Sequence, residues 1–109
     1  MQATITRIHD TQRAYFQSGK TLDLRFRKDM LRALQGAIKQ YEKPLTDALW
    51  QDLHKSYEES YIAEVSILLG EIRTHIRNVG KWTRPQRRPT PMKLFPSRSR
   101  IISEPLGTA

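Results

Sequence analysis

The sequence predicts a mostly α-helical chain, with about four amphipathic helices followed by one short C-terminal β-strand. Three observations carry that expectation. Apolar residues recur at helical spacing through residues 1–82. Proline, glycine and serine interrupt the pattern at a few defined places, which sets the helix ends. Beyond Trp82 the periodicity stops and proline becomes frequent.

Each element follows from its residues. Ile5, Ile8, Tyr15 and Phe16 define the first helix, with Thr4 or Thr6 as its expected cap. Ser18-Gly19 interrupts it. The second helix is expected to begin near Leu22–Leu24. Its stripe is Phe26, Met30, Leu34, Ala37, Ile38 and Tyr41, with Arg27, Lys28, Arg32 and Lys39 turned away. It ends before Pro44, because proline disfavours the helical conformation in the residue before it and suits the first turn of a new helix. A short third helix places Leu45, Ala48, Leu49 and Leu53 on one face and Asp52 outside. Ser56, with Glu59 three residues on, has the capping-box pattern and opens the fourth helix. Its stripe reads Tyr61, Val65, Leu68, Ile72, Ile76 and Val79. Gly70 weakens it mildly, and Gly80 is the expected stop. "TRPQRRPTPMKLFPSRSR" holds four prolines and no helical period, and reads as an extended basic connector. Ile101 and Ile102 form the strand, ahead of Glu-Pro-Leu-Gly.

Composition bounds the chemistry. The chain has 109 residues, enough for one small domain, and 38% are hydrophobic. No apolar run approaches the ~20 residues of a membrane-spanning helix. The first ten residues, "MQATITRIHD", lack the apolar centre of a signal peptide, so a cytoplasmic location is the default expectation. The cysteine count is zero, which excludes disulfides, thiolate metal sites and a cysteine nucleophile within this chain. The net charge of +8 is uneven: residues 1–80 hold 12 Lys/Arg and 10 Asp/Glu, whereas residues 81–109 hold 7 and 1.

Four features invite a chemical reading. Ser18-Gly19-Lys20-Thr21 ends as a phosphate-binding P-loop does, but the first glycine of that motif falls on Ala14 and the preceding segment is helical rather than a buried strand. A helix stop at Gly19 is the better reading. His9, His54 and His75 are dispersed, whereas zinc needs three or four converging ligands, so they read as surface or boundary histidines. Glu58 and Glu59 are adjacent and suit the positive end of a helix dipole. Lys81, Arg84, Arg87, Arg88, Lys93, Arg98 and Arg100, near Trp82 and Phe95, could track a phosphate backbone. The prolines that spread them favour a solvated connector instead. No catalytic, cofactor-binding or metal-ligating residue is assigned.

Three separated stretches, in order, resemble one family. "RAYFQSGKTLDLRFRKDMLRAL", Arg13 to Leu34, is similar to the opening of aldehyde dehydrogenases of the class 3 type, with Ser-Gly-Lys-Thr, Phe-Arg and a Leu-x-x-Leu helix. "ALWQDLHKSYEESYIAEVSILLGEI", Ala48 to Ile72, resembles the segment that follows, and "SRIISEPLG", Ser99 to Gly107, resembles the strand ending Glu-Pro-Leu-Gly. The resemblance implies an N-terminal piece of the α/β aldehyde dehydrogenase fold, truncated before an apolar strand and Trp-Asn-Tyr-Pro. It implies a helical segment of the cofactor-binding domain over residues 1–82, a basic connector over 83–98 and the start of an oligomerisation strand over 99–109. It further implies aldehyde oxidation with NAD or NADP by the full-length enzyme, a homodimer formed through the C-terminal strand region, and no cofactor held by this chain. The family's thiolate nucleophile has no counterpart here, nor do its oxyanion asparagine, general-base glutamate and glycine-containing cofactor loop. This chain alone is therefore expected to be inactive. The family's fourth helix borders the substrate tunnel, often through an aromatic residue, but the aligned "VSILL" has none and no substrate residue is assigned. Two alternatives need no enzymatic ancestry: a basic helical nucleic-acid-binding module and a helical protein-interaction domain.

Overall fold

The computed structural model describes residues 1–108, so Ala109, the last residue of the expected strand segment, lies outside the described residues. The elements are α1 (Gln2–Gln17), α2 (Leu24–Gln40), α3 (Glu42–Leu53), α4 (Tyr57–Ser60), a π-helical turn (Tyr61–Val65), α5 (Ser66–Trp82), β1 (Gln86–Arg88) and β2 (Ser99–Ile101). Short 3-10 turns occupy Lys20–Leu22 and Met92–Leu94. The chain divides into two compact units. One is Arg27–Asn78; the other joins Met1–Phe26 to the described residues from Val79 onward.

The unit Arg27–Asn78 holds the core. Ile38 of α2 clusters with Val65, Leu69 and Ile72, and Leu31 and Ile76 pack against them. The face of the long helix differs from the one its sequence predicts. Leu69 is 7% exposed, whereas Leu68 remains 46% exposed. Leu68 and Leu69 both fall on the Val65–Ile72 side of a regular helix, and the π-turn changes the face only upstream of Val65, where Ser60 is buried and Tyr61 is 39% exposed. The Ser66 N–H bonds to the Tyr61 carbonyl five residues back, so one extra residue is taken up without breaking the helix. Ser60 and Val65, five apart, are both buried.

Local bonds hold the start of that helix. Ser56 is its cap, as predicted, with Oγ accepting from the Glu59 N–H at 3.2 Å. The Tyr57 hydroxyl donates to Glu42 Oε1 at 2.6 Å, joining the first turns of α3 and α4. Lys55 Nζ donates to Glu64 Oε1 at 2.9 Å. His54 closes α3 in the left-handed region, φ 52°, with its ring 5.4 Å from that of Trp50. Pro44 sits in the first turn of α3, where a missing N–H leaves no helical bond unmade.

In the other unit, α1 starts before the expected caps. The N–H groups of Thr4 and Ile5 bond to the Met1 carbonyl, and the Thr6 hydroxyl donates back to the Gln2 carbonyl rather than capping. Gly19 stops α1 as expected, with φ 75°, a conformation that only glycine adopts cheaply. Asp23, which the sequence pattern did not single out, caps α2 by accepting from the Phe26 N–H at 2.7 Å.

Two further expectations are corrected. Gly80 is not a stop, because α5 continues to Trp82. Pro85 lies just beyond, and it both lacks an N–H and disfavours helix in Arg84. The Thr83 hydroxyl meanwhile satisfies the Val79 carbonyl at 2.9 Å. The basic segment is not simply extended either. β1 and β2 pair antiparallel, with Gln86 opposite Ile101, Arg87 opposite Arg100 and Arg88 opposite Ser99. Ile102 falls outside the strand. Pro85, Pro89, Pro91 and Pro96 all fall beside the paired residues, so no ladder N–H is lost. Thr90 Oγ1 accepts the Ser99 N–H at 2.9 Å and donates to Ser99 Oγ at 3.0 Å, securing the ribbon.

The two serines at the start of the long helix give opposite expected outcomes in urea unfolding. Ser56→Ala removes a cap and lowers stability by about 1 kcal/mol. The Ser60 hydroxyl is buried without a hydrogen-bond partner. Such a group costs roughly 1–3 kcal/mol, so Ser60→Ala leaves stability unchanged or raises it. The Tyr57–Glu42 bond has a pH signature. The hydrogen bond to Glu42 raises the Tyr57 pKa above its usual value, with smaller contributions from desolvation and nearby charge. A raised phenol pKa contributes stability that is present below the unfolded value of about 10 and is lost as pH climbs through the folded value. Difference titration of the phenolate absorbance against Tyr57→Phe checks this, and Glu42→Gln should return the pKa toward its ordinary range.

Candidate functional site

A largely apolar, open groove lies in the unit Arg27–Asn78. Its lining follows from the packing just described. Ile38 and Val65 form part of the floor, Leu45 and Leu49 come from α3, and Ile67 and Leu68 come from α5. Leu68 stands here because Leu69, not Leu68, joins the core cluster with Ile38. The volume is about 540 Å³. Asp52, Glu64 and Glu71 also line it, so Asp52 stands at the groove rather than outside as its spacing suggested. Lys55 ties down Glu64, and that hydrogen bond is the main reason the Lys55 pKa is raised.

This arrangement offers an open, largely apolar surface for binding. The chain has no cysteine. The buried Ser60 hydroxyl has neither a base beside it nor access to solvent. The apolar wall, with Leu45 43%, Ile67 60% and Leu68 46% exposed, suits a covering apolar surface.

The other features singled out in the sequence are dispersed. The Ser-Gly-Lys-Thr turn spends its amides on itself. Gly19 N–H bonds to the Phe16 carbonyl, Lys20 N–H to Ser18 Oγ, and Leu22 N–H to the Gly19 carbonyl. The Lys20 ammonium lies over the Tyr15 ring at 5.9 Å. These residues do not fit a nucleotide phosphate. His9 lies 3.6 Å from the Asp10 carboxylate. His75 Nδ1 lies 2.8 Å from the Glu71 carbonyl. His54 ends α3. Among the described residues no three His, Asp or Glu side chains converge as a metal would require. Glu58 and Glu59 sit in the first turn of α4, as expected of dipole-stabilising charges. The structure adds one cluster that spacing did not reveal: Arg87, Arg88, Arg98 and Arg100 line a single hollow with Thr90 and Ser99. Only strand pairing brings residues that far apart in sequence together. No helix of the described residues is long and apolar enough to cross a membrane.

No protein-family profile matches the chain. Individual relatives do. The 4,4'-diaponeurosporen-aldehyde dehydrogenase of Staphylococcus aureus is 40% identical over 96 residues, which is 88% of this chain and 21% of that protein. The dimeric NADP-preferring aldehyde dehydrogenase of Canis lupus familiaris is 38% identical, covering 94% of this chain and 23% of its own length. Aldehyde dehydrogenase family 3 member F1 of Arabidopsis thaliana is 32% identical over 99% of this chain and 22% of its own. A solved structure described as the substrate-bound state of Staphylococcus aureus AldH superposes with a TM-score of 0.87 at 37% identity, over 93% of this chain and 22% of that one. The chain thus spans about a fifth of the length of the relatives it matches. The helices, the ribbon and the sequence agree along nearly the whole chain with one segment of the aldehyde dehydrogenase superfamily.

Proposed function

We propose that this chain is the N-terminal helical segment of an enzyme that oxidises aldehydes to carboxylic acids with NAD or NADP. The observation that carries the reading is the agreement of sequence and fold together: 40% identity to one aldehyde dehydrogenase and a TM-score of 0.87 to the structure of another. Residues 1–82 belong to the cofactor-binding domain, 83–98 connect, and 99–109 begin the oligomerisation strand through which the enzyme pairs as a homodimer. The default location is cytoplasmic. The exposed groove of α3 and α5 is the seat of the rest of the cofactor-binding domain, which supplies the apolar cover that Leu45, Ile67 and Leu68 lack.

The chemistry divides accordingly. Aldehyde oxidation of this kind needs a strong, readily displaced nucleophile, a thiolate, and this chain has no cysteine. None of its own residues fits the cofactor phosphates, since the one turn with a suitable sequence uses its amides internally. The contribution of these residues is structural: they present a preformed helical face on which the reacting domains pack.

The test compares two lengths of protein. The reading frame downstream of Ala109 should continue into an apolar strand and Trp-Asn-Tyr-Pro, and the protein it encodes should reduce NAD(P) with aliphatic or aromatic aldehydes. The purified 109-residue chain should give no aldehyde-dependent NAD(P)H and should self-associate through its uncovered apolar face. Turnover by the short chain, or a monodisperse monomer that melts cooperatively, would overturn the division of labour.

A further inference from the structure

The β1–β2 ribbon lies outside the groove, and its charge constrains how two subunits can meet. Arg87, Arg88, Arg98 and Arg100 line one hollow of about 240 Å³ with Thr90 and Ser99. Arg87 and Arg100 are directly opposite across the ladder, where like charges repel. Arg88 donates to Gln86 Oε1 at 3.2 Å, a neutral partner. Among the described residues Arg87, Arg98 and Arg100 have no carboxylate partner. Residues 83–103 hold six Lys/Arg and no Asp or Glu, and the nearest acid along the chain is Glu104, one charge against six. The residues joining the strands include Met92, Leu94 and Phe95. Met, Phe and Arg are types that protein interfaces concentrate, whereas Asp and Glu are depleted there. The chain spans about a fifth of the length of its relatives, so the rest of the enzyme and its partner subunit remain to cover this ribbon.

Symmetry decides which surface that is. Homodimers are commonly closed by a two-fold axis, so whatever one subunit offers its partner is offered back. Ribbon against ribbon would bring two copies of the same four arginines together, with one glutamate per chain to relieve them. Juxtaposing like charges at an interface is strongly disfavoured. A face of the partner that carries Asp and Glu instead accepts the guanidinium forks in charge-assisted hydrogen bonds. The two-fold then forms this contact twice, once for each ribbon. We infer, resting on the homodimer proposed above, that each ribbon seats on a carboxylate-bearing face of the partner subunit and that the two ribbons do not pair with each other. Arg87, Arg98 and Arg100 supply the charge complement of this contact, and Met92, Leu94 and Phe95 its apolar part.

Analytical ultracentrifugation tests this with the protein made at the length its reading frame encodes. Arg87→Glu is the informative variant. It sets opposite charges across the ladder and so favours the ribbon's own pairing, while it spoils the contact with an acidic surface. Its dimer should dissociate about tenfold more readily than the wild type, with an unchanged circular dichroism spectrum. High salt should weaken the wild-type dimer more than that of the variant. Carbodiimide treatment of Arg100→Lys should join the substituted side chain to an Asp or Glu of the other subunit, giving a dimer-sized band on a denaturing gel and a linked peptide by mass mapping. Three results would overturn the inference: a dimer that ignores both charge reversal and salt, a link confined to one subunit, or a link to the partner subunit's Glu104, which would place the ribbons together. Aldehyde-dependent NAD(P)H production by the same preparation separates these outcomes from failure of the proposed function. An active enzyme with any of the three retains that function and loses only the inference, whereas a protein without the activity overturns both.

Discussion

Ile38 meeting Val65, Leu69 and Ile72 is the contact on which the rest of the helical unit depends. Only these four large apolar residues are buried among the described residues, so there is little redundancy in the core. Val65, Leu69 and Ile72 share one face at regular helical spacing, and the π-turn just before them brings Ser60 to that face as well. Once that phase is set, α3 lies beside the helix with Leu45 and Leu49 toward the groove, and Glu42 comes within reach of Tyr57. Ser60 is the cost of the arrangement. It is carried into the interior at the turn, where its hydroxyl finds no partner.

Much of the helical layout was legible from sequence because its signals are local. Gly19, Pro44 and Ser56 act through their own backbone or the next turn, and each stands where its chemistry indicated. The errors arose where the deciding partner is distant or the helix departs from an even period. Leu68 was placed in the core because it and Leu69 both fit a 3.6-residue spacing, and Tyr61 was placed there because that spacing was assumed constant through the π-turn. Gly80 was read as a stop because glycine often ends helices, but Pro85 is the stronger constraint. The ribbon was missed because short, highly charged β1 has no apolar alternation, and its partner lies thirteen residues away in register from Arg87 to Arg100. The groove was legible only as an unsatisfied apolar stripe. The arginine hollow, which depends wholly on pairing, was not legible at all.

Charged and hydroxyl side chains are mostly committed to caps and local pairs: Asp23 to the start of α2, Ser56 to α4, Lys43 to Asp47, and Lys55 to Glu64. Apolar side chains, by contrast, are left open on the face that the proposed enzyme would cover.

The π-turn also bears on how such chains are compared. One additional residue rotates everything downstream by roughly 100° about the helix axis relative to a regular helix. Equivalence in position along an ungapped alignment and equivalence in space therefore separate at Tyr61–Val65. A homologue with the same letters but a regular helix would offer a different side chain to the core, whereas one a residue shorter there could retain the same inner face. Across this stretch, the reliable unit of comparison is the face a residue occupies, and an apparent deletion can be the more conservative change.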